Sequence, residues 1–139
     1  MKSSFYSILL LFGLAVLVSC ENDIDLKSDE TELIIGHWIS PVYIDTLVQF
    51  TRAEALDEND YGILFNPGNS LVERQNAGWC GTPPISFANY NGTWSKTGDI
   101  IDISVDFWGG KANHKWKVIA NDTKTLTIYP LKSEYIHKE

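Results

Sequence analysis

From Ile100 to Trp108 the chain alternates apolar and polar positions, with Ile101, Ile103, Val105 and Phe107 set against Asp102, Ser104 and Asp106. A period of two places one set on a dry face and the other in water, which predicts a strand and not a helix. In "HKWKVIA", Trp116, Val118 and Ala120 oppose Lys115, Lys117 and Ile119; in "TLTIYPL", Leu126 and Ile128 oppose Thr125, Thr127 and Tyr129. Upstream, "ELIIGHWIS", "TLVQFTR", "YGILF", "SLVERQ" and "YNGTWSK" are rich in β-branched and aromatic residues and are separated by turn formers such as "NPGN". Together they predict about eight short strands. Helix is predicted only in "RAEALDEN", for one or two turns. Consecutive short strands in a small domain hide their edges by closing on themselves, so the expected fold is all-β, a small antiparallel up-and-down barrel.

The N-terminus breaks this pattern. "MKSSFYSILLLFGLAVLVSC" has one cation, Lys2, an apolar run from Ile8 to Val18, and Ser19 before Cys20. The run falls short of the roughly 20 apolar residues of a spanning helix, and an acidic stretch follows it, which makes it an export signal. Leu17, Val18, Ser19 and Cys20 resemble the lipobox of bacterial lipoproteins, in which the cysteine becomes the new N-terminus and carries acyl chains such as palmitate. That resemblance implies a signal peptide at 1–19, lipidation at Cys20, and attachment to the membrane through the acyl chains. Glu21 stands where an aspartate often signals retention in the inner membrane, so the resemblance favours the outer membrane, at its periplasmic face or the cell surface. Residues 20–32 are acidic and poor in large apolar side chains, the composition of a solvated tether. The folded domain is expected over 33–139.

Without residues 1–19 the chain has 10 Lys plus Arg against 18 Asp plus Glu, a side-chain charge of −8. Such a surface repels nucleic acid and anionic headgroups. About 120 residues suit one domain with one core.

Gly36, His37 and Trp38 in the first expected strand look like the Gly-x-Trp signature of lipocalins, whose tryptophan closes one end of the barrel. With the lipobox, the chain from Leu33 to Leu131 resembles a bacterial lipocalin-like lipoprotein. The resemblance implies that Gly36 and Trp38 form a structural plug. Gly-x-Trp recurs at Gly92–Trp94, and a glycine beside an inward aromatic is also an ordinary packing device in curved strands.

Two loops attract attention. "NAGWCGTPP", Asn76–Pro84, places Cys80 between Trp79 and a double proline, and "DFWGGKANH" ends a strand at Trp108 before two glycines. With Cys20 acylated, Cys80 has no intramolecular disulfide partner. Free cysteines are among the most buried residue types, so Cys80 is expected to pack as a small hydrophobe under Trp79. A ligand-facing thiol and an intermolecular disulfide are the alternatives. Loops between strands are where barrels bind, which makes Trp79, Cys80, Thr82 and Trp108 the candidate ligand contacts.

No Gly-x-Ser-x-Gly, phosphate-cradling loop or His-Glu-x-x-His occurs. His37, His114 and His137 lack metal spacing, so no enzyme, cofactor or metal is expected. Two functional readings follow from the resemblance and the rim aromatics. The first is a lipid-anchored protein binding a small apolar or sugar ligand at the barrel mouth. The second is an envelope interaction protein with a filled barrel, either an accessory subunit or an inhibitor of an enzyme.

Overall fold

The structure, a computed structural model, describes residues 29–139. The expected signal segment, Cys20 and Glu21 lie outside the described residues. One helical turn, α1 (Asp29–Glu32), precedes β1 (Gly36–Ile44), β2 (Leu47–Ala53), β3 (Gly62–Phe65), β4 (Ser70–Asn76), β5 (Phe87–Thr97), β6 (Ile100–Phe107), β7 (Gly110–Asn121) and β8 (Thr125–His137). All eight strands pair antiparallel and close into a barrel in the order β1-β2-β8-β7-β6-β5-β4-β3.

From β3 to β8 each strand pairs with the next in sequence. The departure from a plain meander is at β1, which has β2 on one side and β3 on the other. Residues 54–61 must therefore pass β1, and hydrogen bonds hold them there: Ser40 N donates to the Tyr61 carbonyl (3.3 Å) and Ser40 Oγ to Asp60 (2.9 Å). The stretch "RAEALDEN", residues 52–59, in which a helical turn is expected, ends β2 and supplies most of this passage, and no helix forms there. Asp57 accepts from the amide of Asn59, a local turn bond that competes with helix, and Leu56 packs against Gly62.

The alternation has the expected phase. Ile101, Ile103, Val105 and Phe107 are buried, as are Val48 and Phe50 of β2, Ile63 and Phe65 of β3, and Leu126 and Ile128 of β8. Each such burial contributes about 1.5–3 kcal/mol. Phe65 meets Trp94 and Trp116 edge to face, and Phe50 stacks on Trp116.

At the end of the barrel where the chain enters, Trp38 is 0% exposed and its Nε1 donates to the Ile34 carbonyl at 2.6 Å. Ile34 is itself fully buried in the core. Both Gly-x-Trp glycines are constrained, Gly36 by its left-handed φ and Gly92 by the backbone beside it. A Cβ on Gly36, whose φ is +131°, would meet Arg52 Nη1 at 2.5 Å, and one on Gly92 would run into the Ser104 carbonyl and Val105 Cα.

The opposite end is less regular. β1 bulges between Ile39 and Val42, and the pairing of β7 with β8 shifts between Lys115 and Trp116, opposite Lys132 and Pro130, and again between Val118 and Ala120. Pro41 and Pro130 lie at these irregularities and have no amide hydrogen for a ladder. β2 pairs with β8 only over Thr125–Ile128, so from Tyr129 to His137 β8 is held by β7 alone. The strands therefore part at this end.

Candidate functional site

The parted strands border a half-open cavity of about 670 Å³. Its floor is apolar, formed by Val48, Phe50, Ile63, Trp116 and Ile128, which point inward by the alternation of their strands. Its rim is polar. Glu73 and Gln75 come from β4, His114 from β7, and Ser133 and Tyr135 from β8, with Tyr43 of β1 opposite.

Glu73 is the unusual member. It follows buried Leu71 on the inward face of β4, directly between Ile63 of β3 and Tyr90 of β5 in the ladder. The residue is partly exposed as a whole, but its Oε2 is sealed from solvent and has no hydrogen-bond partner. Leaving a carboxylate in that state is costly, because desolvation penalises the charged form. Burial accordingly pushes the Glu73 carboxyl up to about 7.

The neighbouring groups do not neutralise it. Burial lowers the His114 imidazole below its ordinary range, which keeps it uncharged, and its Nδ1 shares a 2.9 Å hydrogen bond with Ser133 Oγ. The Arg74 guanidinium is engaged at the rim by the Glu58 carbonyl (2.6 Å from Nη2) and by Asn89 Oδ1 (2.8 Å from Nη1). The Tyr135 hydroxyl is raised by burial and then by the negative charge of Glu73 and by Tyr43. Gln75 reaches across to donate to the Asp106 carbonyl at 3.2 Å, tying β4 to β6 above Glu73's strand neighbours.

The residues singled out in the sequence lie elsewhere. The β4–β5 loop and the β6–β7 turn do stand at the cavity's end of the barrel, since Gln75 pairs with Ala88 and Phe107 with Gly110 there. Yet Trp79, Cys80, Thr82 and Trp108 do not line the cavity. Trp79 is 81% exposed, Thr82 is exposed, and Trp108 packs against the edge of Phe107 while remaining 45% exposed. The expectation that Cys80 packs as a small hydrophobe is corrected, because its side chain is exposed. The loop is closed only at its base, where the Ala77 amide donates to the Ser86 carbonyl (2.7 Å), and it lies outside the core that would have covered the thiol.

Glu73 was missed because "SLVERQ" reads simply as a strand. A signal was present: Leu71, Glu73 and Gln75 share one parity, so a face that starts in the core becomes polar toward the end of the strand. His114 likewise shares parity with Trp116 and Val118.

Among the described residues no group of His, Cys, Asp and Glu is arranged to hold a metal ion. No protein-family model, curated protein or solved structure matches the chain.

Proposed function

We propose that the protein is a lipid-anchored, lipocalin-like binding protein of the bacterial envelope that takes a small, mainly apolar ligand into the open end of its barrel. The observation that carries this reading is the cavity itself. It has an apolar floor deep enough to hold a small molecule and a few convergent polar groups at its rim, the usual make-up of a small-molecule site. The chemistry of the floor favours an apolar ligand over a sugar, since Val48, Phe50, Ile63 and Ile128 offer no hydrogen bonds. The lipobox at Leu17–Cys20 and Glu21 support attachment to the outer membrane through acyl chains.

A second reading has its own observation. The outer half of β8 exposes Tyr129, Leu131, Tyr135 and Ile136 on a strand with one unpaired edge, a form of surface that partner proteins use. Native mass spectrometry of the full chain purified from its host membranes separates the two. A retained small molecule supports the binding reading, and a stoichiometric protein with an empty cavity contradicts it.

A further inference from the structure

We propose that the cavity selects a cationic amphiphile, an alkylamine in its simplest form, whose ammonium end meets the Glu73 carboxylate while its chain lies on the apolar floor. This rests on the ligand-binding reading and adds the chemical class of the ligand.

Glu73 lines the cavity, and one oxygen of its carboxyl, Oε2, is sealed with no protein donor to satisfy it. Such a group is stabilised by whatever brings it a donor, and most by a donor carrying positive charge, because attraction is stronger where water is excluded. The surrounding groups suit a cation. His114 is held neutral, burial raises the Tyr135 phenol and so keeps it uncharged, and Asp60 stands at the rim. The only guanidinium there, that of Arg74, is already bonded to Glu58 and Asn89. No lysine lines the cavity.

The same chemistry rejects the commonest biological amphiphile head. A fatty-acid carboxylate would bring a second negative charge against Glu73, and two carboxylates sharing a site disfavour ionisation of both. An alcohol would give the Glu73 carboxyl one hydrogen bond but leave the charge uncompensated. The expected order of affinity is therefore amine, then alcohol, then carboxylate, for equal chain length.

Protonation enters directly. An alkylamine, like a lysine side chain, keeps its proton up to about pH 10. Glu73 must lose its own proton to attract it, so amine binding weakens as pH falls through 7, whereas alcohol binding does not.

The test is equilibrium dialysis of hexylamine, hexanol and hexanoate against the full chain in phosphatidylcholine nanodiscs, with empty nanodiscs subtracted. At about pH 8, hexylamine should bind about tenfold more tightly than hexanoate and several-fold more tightly than hexanol, a difference that should shrink at about pH 6. Glu73→Gln should bring hexylamine to the hexanol level and remove its pH dependence. If wild-type protein binds hexanol as tightly as hexylamine at both pH values, the cavity binds apolar molecules but Glu73 does not select them, and the proposal is overturned alone. If none of the three binds, the ligand-binding reading falls with it. The wild-type ratio and its pH dependence decide the matter even if the variant folds poorly.

Discussion

The guanidinium of Arg52 lies over the ring of Trp38, 4.5 Å from its centroid, and donates to the carbonyls of Leu33 and Ile35 at 2.9 Å each. One β2 side chain thus holds the incoming chain across the barrel end that Trp38 fills from beneath. Cation–π contact, two charge-assisted hydrogen bonds and full burial of an indole converge on this one point. Trp38→Ala should cost about 3–5 kcal/mol, a large share of the 5–15 kcal/mol typical of a domain. Arg52→Met, which keeps much of the side-chain volume, should cost about 1–3 kcal/mol. Chemical denaturation midpoints check both, and a change within about half a kcal/mol for Trp38→Ala would contradict the closing role.

How much of this was legible depends on whether the cause was local. The period of two in "IIDISVDF" depends only on which side chains enter water, and β6 matches it residue by residue. The passage of residues 54–61 past β1 depends on pairing between β1 and β3, about 25 positions apart in the chain, and no local pattern announces it. In "RAEALDEN" helix formers were present, but the Asp57 side chain bonds the Asn59 amide in a local turn and Leu56 lies against Gly62. The site was harder still. Tryptophan, cysteine and paired prolines made the 76–84 loop conspicuous, yet it lies in solvent, whereas Glu73 looked like an ordinary polar strand residue. Its role comes from β7 and β8 side chains brought over it by closure, together with the parting of β8 from β2 after Ile128.

The raised Glu73 carboxyl makes a signed statement about stability. Its value moves from 4.5 to about 7 in the fold, so the folded state prefers the protonated form. The associated stability is fully present below about pH 4.5 and is lost as pH rises through 7, by up to about 3 kcal/mol. His114 acts in the opposite sense: its lowered imidazole contributes at neutral pH and loses that contribution as pH falls. Asp122, held low by hydrogen bonds from the Lys124 and Thr125 amides, loses its contribution only at more acidic pH. The difference between wild type and Glu73→Gln removes the last two. The variant should be the more stable protein at about pH 8, and the gap should close toward about pH 4. Unfolding curves at several pH values measure the gap, and one that does not vary with pH contradicts the burial of this carboxyl.

Cys80 should behave as a surface thiol. In native protein it should react with a maleimide at nearly the rate found after denaturation, because no opening step precedes labelling. Cys80→Ser should change stability by no more than about half a kcal/mol. Stopped-flow labelling checks this, and protection of a hundredfold or so in the native state would restore the packed role expected from residue type.

On the proposed function, a ligand sits in the cavity above Phe50 and Trp116. A crystal structure of the full chain, purified from its host without exchange into ligand-stripping conditions, tests it most directly. An elongated molecule is expected on the apolar floor, with a donor atom about 3 Å from the Glu73 carboxyl. Ordered water alone in the cavity, while the protein retains a small molecule bound at another place, would contradict it.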